Sequence, residues 1–161
     1  MVSENNVGIP GIIELQKGVY APKGTTITEG PVTILVHPYH NSRRKPVKNL
    51  DGFLGSYQGN LITFEGPGIF FEETVSRVAQ SSNGVGSRFY VKTVTPYGTN
   101  PLEMTWDEMA EFIRSFGDDN IDAAGGRLGK GDSGCLGVIA RQLRTRGLQV
   151  QYLDGLVVPF N

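Results

Sequence analysis

Cysteine, net charge and long apolar runs are what this sequence has least of, and each absence narrows the class of protein. The single cysteine, Cys135, excludes an internal disulfide, and no paired cysteines form a metal-binding pattern. Fifteen lysines and arginines nearly balance sixteen aspartates and glutamates, so no overall field favours a nucleic acid or an anionic membrane as partner. No apolar run is long enough to span a bilayer.

Residues 1–6 lack both the basic and the apolar region of a signal peptide. We therefore expect a soluble protein of the cytoplasm, or one delivered to another cell by a route that needs no classical signal. No motif calls for a cofactor, and the sequence leaves the oligomeric state open.

Glycine is abundant, with 22 residues in 161, and this indicates many turns and close backbone approaches. The length fits one domain, residues 1–161. Prolines and glycines break residues 1–60 into short extended pieces, which predicts an irregular, β-rich N-terminal part. Val32–Val36 is the best strand there, and it leads into a basic loop containing Arg43, Arg44, Lys45 and Lys48. That loop is suited to a phosphate or an acidic partner, although such runs are commonly only solvated charge.

From Leu61 onward, strands alternate with helices. The predicted strands are 61–64, 88–94, 121–128 and 148–153, and the predicted helices are 71–79, 105–116 and 135–146. This alternation predicts an α/β fold with a mostly parallel sheet flanked by helices. Ligands of such sheets collect at the carboxyl ends of the strands, so the glycine-rich turn 129–134 and Asp154 are expected on the functional edge.

The predicted helix 105–116 carries the clearest local signals in the chain. Thr105 and Glu108 fit a capping box at its start. Met109, Phe112 and Phe116 fall on one apolar face, together with Ile113.

The glycine-rich turn 129–134, between the predicted strand 121–128 and the predicted helix 135–146, can be interpreted as an anion-binding site. Gly129, Gly131 and Gly134 stand between a strand and a helix, where backbone amides and the helix dipole favour a phosphate. Asp154 lies 20 residues beyond Gly134, and the spacing resembles the Rossmann dinucleotide fingerprint. This resemblance implies a Rossmann-like sheet and a nucleotide or another small anionic ligand.

Ser133 offers a second interpretation of the same turn. Residues 131–134, Gly-Asp-Ser-Gly, resemble the nucleophile motif of chymotrypsin-like serine proteases, with His37 or His40 as base and Asp51 as its orienter. The residues that follow have helical periodicity, so Asp132 or Ser133 is equally suited to cap a helix.

Cys135 offers a third. A thiol in the first turn of a helix ionises more readily than a free thiol, and His37 or His40 would serve as its base. The alternative is a small buried residue on the core face of the helix.

Residues 88–159 carry a further resemblance. Their order of strand, helix (104–114), strand, glycine-rich turn, helix and strand looks like the C-terminal half of caspase-like cysteine peptidases, including those of bacterial toxins. The resemblance implies a caspase-like fold and a peptide substrate. The family's catalytic histidine and cysteine positions hold residues 95–97 and 124–126 here, so neither catalytic residue is carried over. A degenerate or non-catalytic domain, or one that uses the displaced Cys135, is what the resemblance implies.

Overall fold

The computed structural model describes residues 8–39, 47–94 and 100–159, which form seven strands and four helices. In chain order the elements are β1 (Ile12–Gln16), β2 (Val19–Pro22), β3 (Val32–Val36), α1 (Leu50–Ser56), β4 (Asn60–Glu65), α2 (Ile69–Ser82), β5 (Ser87–Lys92), α3 (Trp106–Arg114), β6 (Asn120–Leu128), α4 (Gly134–Arg144) and β7 (Gln149–Pro159).

All seven strands join one mixed sheet, in the order β1-β2-β5-β4-β3-β6-β7. The five strands from β5 to β7 in this order run parallel, whereas β1 and β2 add to the β5 edge in antiparallel fashion. The mostly parallel α/β architecture expected from the sequence is confirmed. The two N-terminal strands depart from the parallel arrangement, because β1 and β2 form an antiparallel hairpin at the edge of the sheet.

The strand β3 lies at the centre of the sheet, between β4 and β6. All five of its residues are buried, which suits its uninterrupted apolar run apart from Thr33. The regular sheet therefore begins well before Leu61, the residue from which the sequence predicted alternating strands and helices. The chain extends the sheet from β3 in one direction through β4 and β5 and in the other through β6 and β7, so the direction of strand addition reverses between β3 and β6. In open α/β sheets, ligands bind outside the carboxyl ends of the strands at such a point.

Helices cover both faces of the sheet. One apolar core lies beneath α3 and α4 and includes Phe112 and Ile139, and the other lies beneath α1 and α2 and includes Leu54 and Val75. None of the described helices has the length and hydrophobicity that crossing a membrane requires.

The capping box predicted for α3 is present. The Glu108 amide donates to the Thr105 hydroxyl at 3.1 Å, and the Thr105 amide donates to the Glu108 carboxylate at 2.8 Å. The predicted apolar face is buried, and Phe112 and Phe116 pack edge-to-face with Phe89 of β5. Local capping and packing against the sheet together fix this helix.

The strand β7 is longer than the predicted 148–153. It continues to Pro159, with an irregularity in which Ala124 of β6 faces residues 153–156. Asp154 therefore lies within the strand, on an exposed irregular stretch, and not at the strand's end as predicted.

Candidate functional site

An imidazole, a carboxylate and a thiol lie at the carboxyl ends of the central strands. His37 directly follows β3, and Glu65 is the last residue of the neighbouring strand β4. Cys135 stands in the first turn of α4, which follows β6 on the other side of β3. The strand order thus brings together three residues that are far apart in sequence.

His37 is completely buried, and two contacts set its position. Its amide donates to the Phe64 carbonyl at 3.0 Å, which continues the pairing of β3 with β4 by one residue. Its Nδ1 lies 2.7 Å from Oε1 of Glu65.

Glu65 is held by more than the histidine. Its Oε1 also accepts from the Gly66 amide at 2.9 Å, and its Oε2 accepts from the Thr74 hydroxyl of α2 at 3.0 Å. The side chain is 1 % exposed, so water competes little for the same oxygens. A carboxylate fixed by two further donors fixes in turn the imidazole that it contacts.

His37 also forms a hydrogen bond with Cys135, and the surroundings raise its pKa. Burial alone lowers the pKa, but hydrogen bonds to Cys135 and to Glu65, with the negative charges of both groups, outweigh it and raise the pKa from 6.5 to about 9. The imidazole is therefore protonated at neutral pH. An imidazole beside a thiol is the acid–base partner that a cysteine nucleophile needs.

Cys135 is partly buried and packs against the core beneath α3 and α4 without being enclosed by it. The alternative interpretation expected a small buried residue on the core face, and Cys135 lies on that face but is only partly buried. The neighbouring core-face residues of α4, Leu136, Ile139 and Leu143, are fully buried, so Cys135 lies where the apolar face of the helix reaches the edge of the sheet.

The turn before Cys135 is tied to the elements behind it. The Gly129 amide donates to the Ser133 carbonyl at 3.0 Å and closes the turn. The Asp132 carboxylate accepts from the Tyr152 hydroxyl at 2.7 Å and from Arg144 at 2.6 Å. The Tyr152 hydrogen bond and the arginine charge lower the pKa of Asp132, and burial together with the Asp132 contact raises the pKa of Tyr152 to about 12.

The N-cap residue of α4 makes no side-chain capping hydrogen bond. Ser133 occupies the N-cap position, as one of the two residues predicted to cap this helix, but its side chain accepts no capping hydrogen bond. The amides of a helix's first turn have no partner within the helix, and they carry the positive end of its dipole. An oxygen that gains negative charge next to Cys135 would meet these amides.

The structure brings together two residues selected from the sequence, His37 and Cys135. His40 and the basic positions 43–45 lie outside the described residues. Asp51, expected to orient a histidine, instead accepts from the Ser81 hydroxyl at 3.0 Å, and Glu65 takes that place beside His37.

The glycines of the proposed anion site do form the turn before α4. Gly131 and Gly134 have φ of +64° and +81°, a conformation that favours glycine. The Gly129 amide is already used within the turn, and the turn itself carries the Asp132 carboxylate, which accepts from Tyr152 and Arg144. Asp154 is exposed on β7.

Sequence reasoning missed Glu65, Asp132 as a tether, and Tyr152. A signal for Glu65 was present, because Glu65 directly follows the predicted strand 61–64 as His37 directly follows Val32–Val36. Two ionisable residues at the ends of buried strands share one edge of a parallel sheet. No such local signal marks Tyr152.

No protein-family model matches the chain, and neither a curated protein nor a solved structure is significantly similar to it.

Proposed function

We propose that this protein is a thiol-dependent hydrolase. Cys135 is the nucleophile, His37 exchanges the proton, and Glu65 orients the imidazole. The observation that carries the proposal is the buried His37, which contacts a fixed carboxylate on one side and the thiol on the other. This is the nucleophile, base and orienter arrangement of covalent catalysis.

The proposed reaction is acyl transfer to water. The Cys135 thiolate attacks the carbonyl carbon of an ester, thioester or amide, and the carbonyl oxygen becomes an oxyanion facing the first amides of α4. The carbonyl re-forms as the bond to the leaving group breaks, and the His37 imidazolium gives the leaving group its proton. Neutral His37 then takes a proton from water as the water oxygen attacks the thioester. Collapse of this second intermediate breaks the carbon–sulfur bond and restores the thiolate–imidazolium pair.

The resemblance of residues 88–159 to caspase-like peptidases favours a peptide substrate within this class. The family places its histidine and cysteine after strands that correspond here to β5 and β6, whereas His37 follows β3 and Cys135 follows the glycine-rich turn. The proposed chemistry therefore rests on the residues of this chain, and the resemblance contributes only the choice of scissile bond.

Alkylation of the native protein by iodoacetamide tests the nucleophile. We expect rapid labelling of Cys135 at pH 7, and His37→Gln should slow it roughly ten-fold, because an unassisted cysteine is only a few per cent thiolate at that pH. Ser133→Ala is the matched control, two residues from Cys135, and should label at the wild-type rate. A thiol that reacts only after denaturation would rule out the proposal.

Two alternatives use the same turn. The uncapped amides of α4 and the open space around Gly131 favour an anion, and phosphate or a nucleotide should then raise the melting temperature of the wild type but not of Gly131→Glu. The Ser133 side chain at the N-cap makes no capping hydrogen bond, which favours serine hydrolysis. This alternative predicts labelling of Ser133 by a fluorophosphonate probe.

A further inference from the structure

We infer that Asp132 is the positioning residue of the thiol site: its contacts hold the turn 129–133 so that the first amides of α4 face the carbonyl oxygen of an acyl group on Cys135. This inference rests on the proposed hydrolase function. It adds to that function the part of the fold that prepares the oxyanion site.

Three donors from two elements fix Asp132. Its carboxylate oxygens accept separately, Oδ1 from Tyr152 of β7 and Oδ2 from Arg144 of α4. Its backbone carbonyl accepts from Arg141 at 2.7 Å. Both the side chain and the main chain of this residue are therefore tied to elements that are themselves packed on the core.

The backbone at Asp132 has a conformation that needs such ties. Its φ is +57°, in the left-handed region that is uncommon for a residue with a side chain. Gly131 before it also has a positive φ, so the chain turns sharply immediately before the N-cap Ser133. Loss of the ties would let the turn relax toward commoner backbone conformations.

The turn also rests directly on α4. A side chain at Gly137 would collide with the backbone carbonyl of Asp132, so the turn lies against the helix two residues beyond Cys135. Movement of Asp132 is consequently transmitted to the amides of Gly134 and Cys135. Displacing a catalytic group by about 1 Å can cost roughly 100-fold in rate.

Two reactions of Cys135, alkylation and acylation, should depend differently on Asp132. Alkylation by iodoacetamide needs the thiolate but forms no oxyanion, whereas acylation by an ester needs both. Weakening the ties of Asp132 should therefore slow acylation and leave alkylation unchanged. A defect of the fold as a whole would slow both.

The test compares Tyr152→Phe with wild type, using p-nitrophenyl acetate for steady-state kinetics and mass spectrometry for acylated Cys135. Tyr20→Phe is the matched control, because it removes another hydroxyl bonded to a carboxylate, that of Glu103, at the far edge of the sheet. We expect kcat of Tyr152→Phe to fall about 10- to 100-fold with KM nearly unchanged and with the alkylation rate retained. Asp132→Asn should be impaired less than Asp132→Ala, because the amide oxygen can still accept one of the two hydrogen bonds.

Each outcome decides between the two claims. Wild-type kcat in both Tyr152→Phe and Asp132→Ala would overturn the role of Asp132 and leave the hydrolase proposal standing. Equal losses of acylation and alkylation would also overturn it, since the residues would then support the nucleophile or the fold. No acylation of Cys135 in the wild type would overturn the hydrolase proposal and this inference with it.

Discussion

Glu65 is one of the two groups that raise the pKa of His37, and its effect can be measured on that single residue. The carboxylate lies 2.7 Å from Nδ1 and helps to raise the pKa of His37 to about 9, against the lowering effect of burial. Glu65→Gln removes the negative charge, so we expect the pKa of His37 to fall below 9. Histidine proton NMR across pH gives the value, and the chain has only two histidines to assign.

Thr74→Val provides the matched control for that measurement. It removes a hydroxyl from the far oxygen of Glu65 and leaves the oxygen that contacts His37 untouched. The pKa of His37 should fall less than it does in Glu65→Gln. An unchanged value in Glu65→Gln would mean that Glu65 does not set the charge of the imidazole.

At the scale of single residues, the reactive side chains were easier to predict than the residues that contact them. Cys135 and His37 could be selected because only a few residue types act as nucleophile or base, and the chain has few of them. Asp51 was predicted as the orienter and Glu65 was not considered, since the sequence does not tell which carboxylate the fold brings to the imidazole. The contact of Tyr152 with Asp132 depends on β7 lying next to the turn 129–133, which no local sequence pattern predicts.

Two helix starts in this chain differ in their capping, and the difference should appear in stability. Thr105 accepts from the Glu108 amide at the start of α3, whereas the Ser133 side chain makes no capping bond at the start of α4. We expect Thr105→Ala to lower the free energy of unfolding by about 1 kcal/mol, and Ser133→Ala to change it by less than about 0.5 kcal/mol. Urea unfolding of both variants measures the pair. Equal losses would contradict the assignment of the caps.

Elements were predictable where their signals are local. The capping box and apolar face of α3 lie within twelve residues, and that helix was predicted with its N-cap. The helix α1 was missed because Gly52 and Gly55 weaken its intrinsic helical preference, while its stability comes from Leu50 and Leu54 packing in the core. The length of β7 was also missed, since its irregular stretch is defined only by pairing with β6.

The whole sheet determines where the site lies. His37, Glu65 and Cys135 meet because β3 is central and the chain leaves it in two directions, which places the ends of β3 and β4 beside the start of α4. The mostly parallel sheet predicted from the sequence is confirmed, and the placement of the functional edge at the turn 129–134 stays a prediction. It placed the central strand in the irregular front, because the position of a strand in a sheet depends on long-range pairing rather than on the strand's own residues.

The buried histidine should make the stability of the whole molecule fall as pH rises. The pKa of His37 is about 9 in the folded protein, against 6.5 for an unperturbed histidine, so folding favours the protonated form. Its stabilisation is fully present below pH 6.5 and is lost as pH rises through 9, with a total on the order of 3 kcal/mol. Urea unfolding at pH 6 and pH 9.5 measures this loss, to which other groups also contribute. Glu65→Gln, with a lower pKa at His37, should lose less stability over the same interval. Equal losses in the two proteins would show that the pH dependence arises elsewhere.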